Sequence, residues 1–514
     1  MAKIKCLQVG NSNWASQYEI PEHVDWFFLT NEQANQELKK RKKSATKKEP
    51  MKKYNVLLLT EAETLKDFDY LIAMMDYYTI LYDPSQITDS ELKFALEKKL
   101  AHKISLSSPE KIVEDIGLYF FKGQYGHRLP PRNLIISPNL PGKYWRDGMH
   151  KFIFEGDYGQ EWIPLASYRE PLHSMIDAQK NIRMFLEFDK TDEIDIKVVV
   201  TTFNMYSGMV NSQEEFTEDE LINTVEYGPC EPGIVANFNI FIKGKGRATI
   251  GNLQIRYSRG PYGEFTLGAK RDVDEHFHEL ISYLYPADYK PPLCVYFGGY
   301  RKPGGFEGYG MMKALKSPFM LFEDSSVEGG GFYRGTPEFE QKIVQRIQEA
   351  LDFLGFTNKD LVLSGFSMGT HAAMYYGAEL APSCIVVNKP IANFQPIINN
   401  YQLKGVGVFP TGLDVTKIIM EQKNFHEVSE IDKEFWEKFG QGKLLDTKFY
   451  VTHMKNEDYD DQVFVELVDY FLKHQKMIYS KGIPGRHNDN QGVSVSSFTN
   501  FYHQVLIKEF HREG

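Results

Sequence analysis

The stretch "LSGFSMGTHAAM", residues 363–374, sets Ser367 between Gly365 and Gly369. Chance supplies a G-x-S-x-G match in about one chain of this length in five at ordinary residue usage, so context has to decide. An apolar run, "DLVLSG" (360–365), precedes the serine, and "MGTHAAMYYGAEL" (368–380), compatible with a helix, follows it. A sharp strand-to-helix turn of this kind lifts a serine hydroxyl above the sheet, while flanking glycines let backbones pass where a side chain would clash. Ser367 is therefore read as a nucleophile, against the plainer reading of a serine in a tight turn. The Met368 N–H, at the start of the helix, would face a developing oxyanion.

A nucleophilic serine needs a base, and the base needs an orienting carboxylate. In the strand-turn-helix setting the chain order is serine, acid, histidine, each after a sheet strand. The run "KFYVTHM" (448–454) is followed by "KNEDYDD", which offers Glu457 and Asp458; spacing alone does not separate the two. The run "KMIYSKGI" (476–483) is followed by "PGRHNDN", which offers His487. A second oxyanion donor is expected from "FGGYRKPGG" (297–305), with Gly298, Gly299 or Tyr300 supplying the N–H. His371, His453, His474, His503 and His511 fall in helix- or strand-like runs and read as packed or solvated. The pair His276 and His278 lacks HExxH spacing, so no metal is expected.

Around this site, residues 265–514 alternate strand-like runs ("PPLCVYFGG", "PFMLFED", "CIVVNKP") with helical patterns such as "TPEFEQKIVQRIQEALDFLG". That rhythm predicts a doubly wound parallel sheet, an α/β-hydrolase-like catalytic domain. Residues 145–264 are different. "NIRMFLEFD", "IDIKVVVTTFNM", "NFNIFIKG" and "RATIGNLQIRYSR" are β-rich and predict a β-sandwich or jelly roll, either binding carbohydrate or spacing its neighbours. Residues 1–144 alternate again ("IKCLQVG", "WFFLT", "NVLLLT", "YTILYD", with "DSELKFALEKKLAH" among them) and predict a small Rossmann-like α/β domain. Its first turn, "VGNSNW", has a single glycine, which argues against a dinucleotide site.

With 514 residues the chain exceeds one core and calls for two or three domains. Four cysteines far apart fit a reducing cytosol rather than a disulfide framework. The start "MAKIKCLQV" resembles no secretory signal, and no apolar run approaches the roughly 18 residues of a membrane span, so a cytoplasmic protein is expected. A formal charge of −10 argues against nucleic acid. Against that balance, "KKRKKSATKKEPMKK" (39–53) holds nine Lys or Arg in fifteen positions. It reads as a solvated loop or as a patch for anionic lipid at the inner membrane face.

Taken together, "KIKCLQVGNSNW", the β-rich middle, "GFSMGTHAAMYYGAELAP", "KNEDYDD" and "GRHNDN" resemble the accessory secretory protein family, second member, of streptococcal and staphylococcal accessory Sec systems. The resemblance runs the full length. It implies an esterase-like fold and a cytosolic protein that helps export serine-rich-repeat glycoprotein adhesins. It also implies O-acetylation of N-acetylglucosamine on those adhesins by a Ser–acid–His triad, which on this sequence would be Ser367, Glu457 and His487. Among the two neighbouring acids, the family pattern favours Glu457 over Asp458. Implied partners are the first and third accessory secretory proteins, the accessory Sec motor ATPase and the adhesin itself. No bound cofactor is implied, and the acetyl donor is left open, acetyl-CoA included. Two other functions compete: a non-catalytic scaffold of the export complex, and a general cytosolic carbohydrate or acetyl esterase.

Overall fold

In a computed structural model, the structure describes residues 3–43, 54–62, 65–66, 68–168, 179–229, 231–404, 409 and 411–512. Of the basic stretch 39–53, only the backbone of residues 39–43 is described, at the end of the helix Asn31–Lys43; residues 44–53 lie outside the described residues.

The first sheet has five parallel strands in the order Val24–Leu29, Ile4–Val9, Val56–Leu59, Ile80–Tyr82, His102–Lys103. Its central strand is apolar throughout, and Val56, Leu57 and Leu58 are all fully buried, as a strand covered by helices on both faces requires. The helix Ser90–Lys98 starts where the Asp89 carboxylate accepts the Glu91 and Leu92 N–H groups.

The β-rich middle is organised by one strand, Ile234–Tyr257, of 24 residues. Its first half pairs with Ile194–Asn204 and its second half with Ile182–Lys190, so it passes from one sheet into another. Gly244 (φ 93°) and Gly246 (φ 145°) sit at the transition. A Cβ on Gly244 would lie 1.9 Å from the Glu193 carbonyl oxygen, so only glycine lets the strand bend there. Side chains from both halves, among them Phe238, Ile240, Ile250 and Leu253, share one core.

The third sheet has eight strands in the order Lys270–Val273, Glu279–Tyr285, Phe319–Asp324, Leu293–Phe297, Leu361–Phe366, Cys384–Asn388, Lys448–Met454, Ile478–Ile483. The last six run parallel, but Glu279–Tyr285 is antiparallel to Phe319–Asp324, and Lys270–Val273 is antiparallel to Glu279–Tyr285. The sheet is therefore mixed, where an all-parallel one was expected. An apolar run carries no direction, and these two strands are joined by a short connection that reverses the chain. Alternate residues of Leu293–Phe297 face opposite helical layers. Helices Pro337–Leu354 and Met368–Leu380 cover one face, and Gln491–Lys508 covers the other. Met368–Leu380 is buried nearly all round because the helix Val428–Phe439 packs on its outer side, with His371 and Phe435 rings 4.9 Å apart.

Candidate active site

Ser367, Lys389, Glu457 and His487 all follow the C-terminal ends of parallel strands, the edge of an α/β sheet where ligands gather. Ser367 has φ 50° and ψ −116°, a strained conformation for a residue with a side chain. Close packing enforces it. A Cβ on Gly365 would sit 2.1 Å from the Gly369 carbonyl oxygen, and one on Gly369 would sit 2.0 Å from that of Phe297. The turn is tied further by the Ser367 N–H donating to Asn388 O at 2.8 Å and the Thr370 hydroxyl donating to Ser367 O at 2.5 Å.

Ser367 Oγ lies 2.7 Å from His487 Nε2, and His487 Nδ1 lies 2.8 Å from Glu457 Oε1. With the ring proton on Nδ1 and donated to Glu457, Nε2 presents a lone pair to the serine hydroxyl. Glu457 Oε1 also accepts the Asp458 and Tyr459 N–H groups, at 3.1 and 3.0 Å. Asp458 does something else: its Oδ1 accepts the His487 backbone N–H at 3.0 Å. Glu457 thus touches the ring, and Asp458 touches the loop that carries it. Tyr459 stacks on the imidazole, centroids 4.4 Å apart and planes within 8°.

Two further side chains shape the site, and local sequence pattern singles out neither. Lys389, in the left-handed region at φ 57°, sends Nζ into the 487–491 loop. It donates there to His487 O, to Asp489 O at 3.1 Å and to Gln491 Oε1 at 3.0 Å. Burial depresses its pKa below the usual lysine range. Its place directly after a strand is the one signal that could have marked it. Glu307 Oε2 accepts the Gly299 N–H at 2.6 Å and the Tyr296 hydroxyl at 3.1 Å. Gly299, expected as an oxyanion donor, is therefore already engaged. The Met368 and Tyr300 N–H groups have no partner among the described residues. Gly299, Tyr300, Glu307, Ser367, Met368 and His487 all line one cavity of about 380 Å3.

Of the other histidines, His371 and His453 are occupied in packing, while His276, His474, His503 and His511 are exposed. His371 is fully buried beside Arg334, and His453 stacks on Phe464 at 3.6 Å. His278 Nδ1 lies 3.1 Å from Asp274 Oδ2, and its ring is 6.1 Å from that of His276. Among the described residues, no group of three or more His, Cys, Asp or Glu is placed to hold a metal ion, and no helix is long and apolar enough to cross a membrane.

The fold and site define a mixed α/β protein carrying a serine–histidine–glutamate arrangement on the parallel strands of its eight-stranded sheet. The chain belongs to the accessory Sec system GspB-transporter family, whose model matches residues 4–512. It is 32% identical over 518 residues to an accessory Sec system protein of Streptococcus gordonii, covering 99% of each chain. It is 37% identical over 398 residues to one from Staphylococcus aureus (strain NCTC 8325 / PS 47), covering 76% of this chain and 75% of that one. Among solved structures it matches a chain of the glycosylation associate protein (Gap123) complex from Streptococcus agalactiae. There the TM-score is 0.92 and the identity 32%, with all of both chains covered.

Proposed function

We propose that this accessory Sec protein is a serine-dependent O-acetyltransferase of the α/β-hydrolase type. On this proposal it acetylates N-acetylglucosamine on serine-rich-repeat adhesins before their export from the cytoplasm. The observation that carries it is the continuous chain Ser367 Oγ–His487–Glu457, at 2.7 and 2.8 Å, on a strained turn facing a cavity.

In the first half-reaction His487 Nε2 takes the Ser367 proton as Oγ bonds to the donor's acetyl carbon. The carbonyl oxygen becomes an oxyanion held by the Met368 and Tyr300 N–H groups, two backbone donors on the cavity wall with no partner among the described residues. Collapse of this intermediate expels the leaving group, which takes the proton from His487, and leaves acetyl-Ser367. In the second half a sugar hydroxyl gives its proton to His487 as its oxygen attacks the acetyl carbon. The ester bond to Ser367 then breaks, and Oγ regains the proton. Glu457 keeps the ring oriented and balances its charge throughout. With water as the attacking group the same residues perform ester hydrolysis, the alternative activity.

Partners proposed are the first and third accessory secretory proteins and the accessory Sec motor ATPase. The full-length match to a chain of a multi-protein complex supports a role in assembly alongside catalysis. The test is Ser367→Ala in the full-length protein, read by mass spectrometry of the exported adhesin's glycans. Loss of O-acetyl groups with export retained supports the enzyme. Unchanged acetylation sinks it and leaves the scaffold.

A further inference from the structure

A second cavity, about 730 Å3, shares no lining residue with the one at Ser367. It lies where the N-terminal sheet, the entry to the β-rich middle and the edge of the eight-stranded sheet meet. Its wall includes Arg259, 2% exposed. Three other deeply buried arginines each face carboxylates: Arg128 meets Glu323, Arg256 meets Glu264 and Glu279, and Arg334 meets Glu340 and Glu434. Arg259 meets none among the described residues. Its guanidinium donates instead to four backbone carbonyls, Phe265 O at 3.1 Å, Tyr119 O at 2.8 Å, Phe121 O at 2.6 Å and Gly123 O. It lies 3.7 Å from the Phe121 ring centroid. Of its five N–H groups, one on Nη2 keeps no partner among the described residues.

A buried charge without a counter-charge is costly, and burial pulls the Arg259 pKa down to about 9. The rest of the wall does not supply the missing anion. Lys122 stands exposed, with no ion pair among the described residues, and Lys313 is already balanced by Asp76, the single acidic residue lining the cavity. Seven of the nineteen lining residues are aromatic, among them Tyr54, Tyr77, Tyr285 and Tyr309. A cavity of this size, aromatic-walled with a few convergent polar groups, is the form small-molecule sites take.

We propose that this cavity binds a phosphorylated small molecule that carries a ring, its phosphate at Arg259 and Lys122 and its ring against the tyrosines. A sugar phosphate and a nucleotide share that chemistry. The site is separate from Ser367 and does not depend on the acyl-transfer proposal.

The test is isothermal titration of the full-length chain with a hexose 1-phosphate, a nucleoside diphosphate and inorganic phosphate. At least one ring-bearing ligand should bind saturably and at least about tenfold tighter than inorganic phosphate, and which one binds identifies the source. Lys122→Glu changes an exposed residue and should weaken that binding by about tenfold or more. Ser367→Ala should leave it unchanged. Three results each overturn the proposal: no saturable binding by either ring-bearing ligand, inorganic phosphate binding as tightly as both, or full affinity in Lys122→Glu.

Discussion

The Glu307 carboxylate accepts the Gly299 N–H at 2.6 Å, within the cavity that Ser367 faces. It therefore holds negative charge beside the loop where a tetrahedral oxyanion would form, and charge of that sign opposes the one that develops. Glu307→Gln keeps a carbonyl acceptor for the amide and removes the charge. Hydrolysis of a neutral acetyl ester should quicken several-fold in this variant, with little change in KM. A slower variant would assign Glu307 to holding substrate instead.

The acids at 457 and 458 divide their tasks by direction. Glu457 Oε1 meets the imidazole Nδ1, while Asp458 Oδ1 meets the His487 backbone N–H. Glu457→Gln should lower kcat by about 10^3–10^4-fold, as the neutral amide favours the wrong tautomer. Asp458→Asn removes charge from one loop hydrogen bond and should cost less than about tenfold. Equal losses in the two variants would contradict this division.

How far the sequence foretells this arrangement depends on what each residue contacts. Runs such as "PFMLFED" and "CIVVNKP" are strands because a sheet covered on both faces demands continuous apolar residues, and they correspond to Phe319–Asp324 and Cys384–Asn388. Direction is not written in such a run, so the antiparallel Glu279–Tyr285 is visible only in three dimensions. Ser367 and His487 each stand just past a strand, which is enough to associate them. The choice between Glu457 and Asp458 rests on side-chain directions inside one turn, which no spacing encodes. Lys389 reaches partners about a hundred residues further along the chain, so no local pattern announces it.

The strain at Ser367 should be measurable as stability. A residue at φ 50° and ψ −116° costs about 1–3 kcal/mol, which glycine would relieve in part, at about 0.5–1 kcal/mol of its own chain entropy. Ser367→Gly should therefore unfold at higher denaturant than Ser367→Ala, by about 1 kcal/mol, with both inactive. A glycine variant no more stable than the alanine one would show that the turn is unstrained.

A last expectation concerns pH, through Glu187 where the β-rich middle packs against the eight-stranded sheet. Its carboxyl is 5% exposed and burial pushes its pKa up to about 8. Hydrogen bonds from Gln254 Nε2 at 2.9 Å and the Asn252 N–H at 3.1 Å, and the Arg128 charge, pull it only partly back. His150, 3.6 Å away, is held neutral by burial. A carboxyl with a raised folded pKa binds a proton that the unfolded chain has released. Its contribution is thus complete below about pH 4, near the unfolded value, and fades as pH rises toward about 8. Glu187→Gln fixes the neutral form, so its melting temperature relative to wild type should climb steadily between pH 5 and pH 8. Thermal melts across that range check it, and a constant difference would mean that Glu187 is ionised in the folded protein throughout.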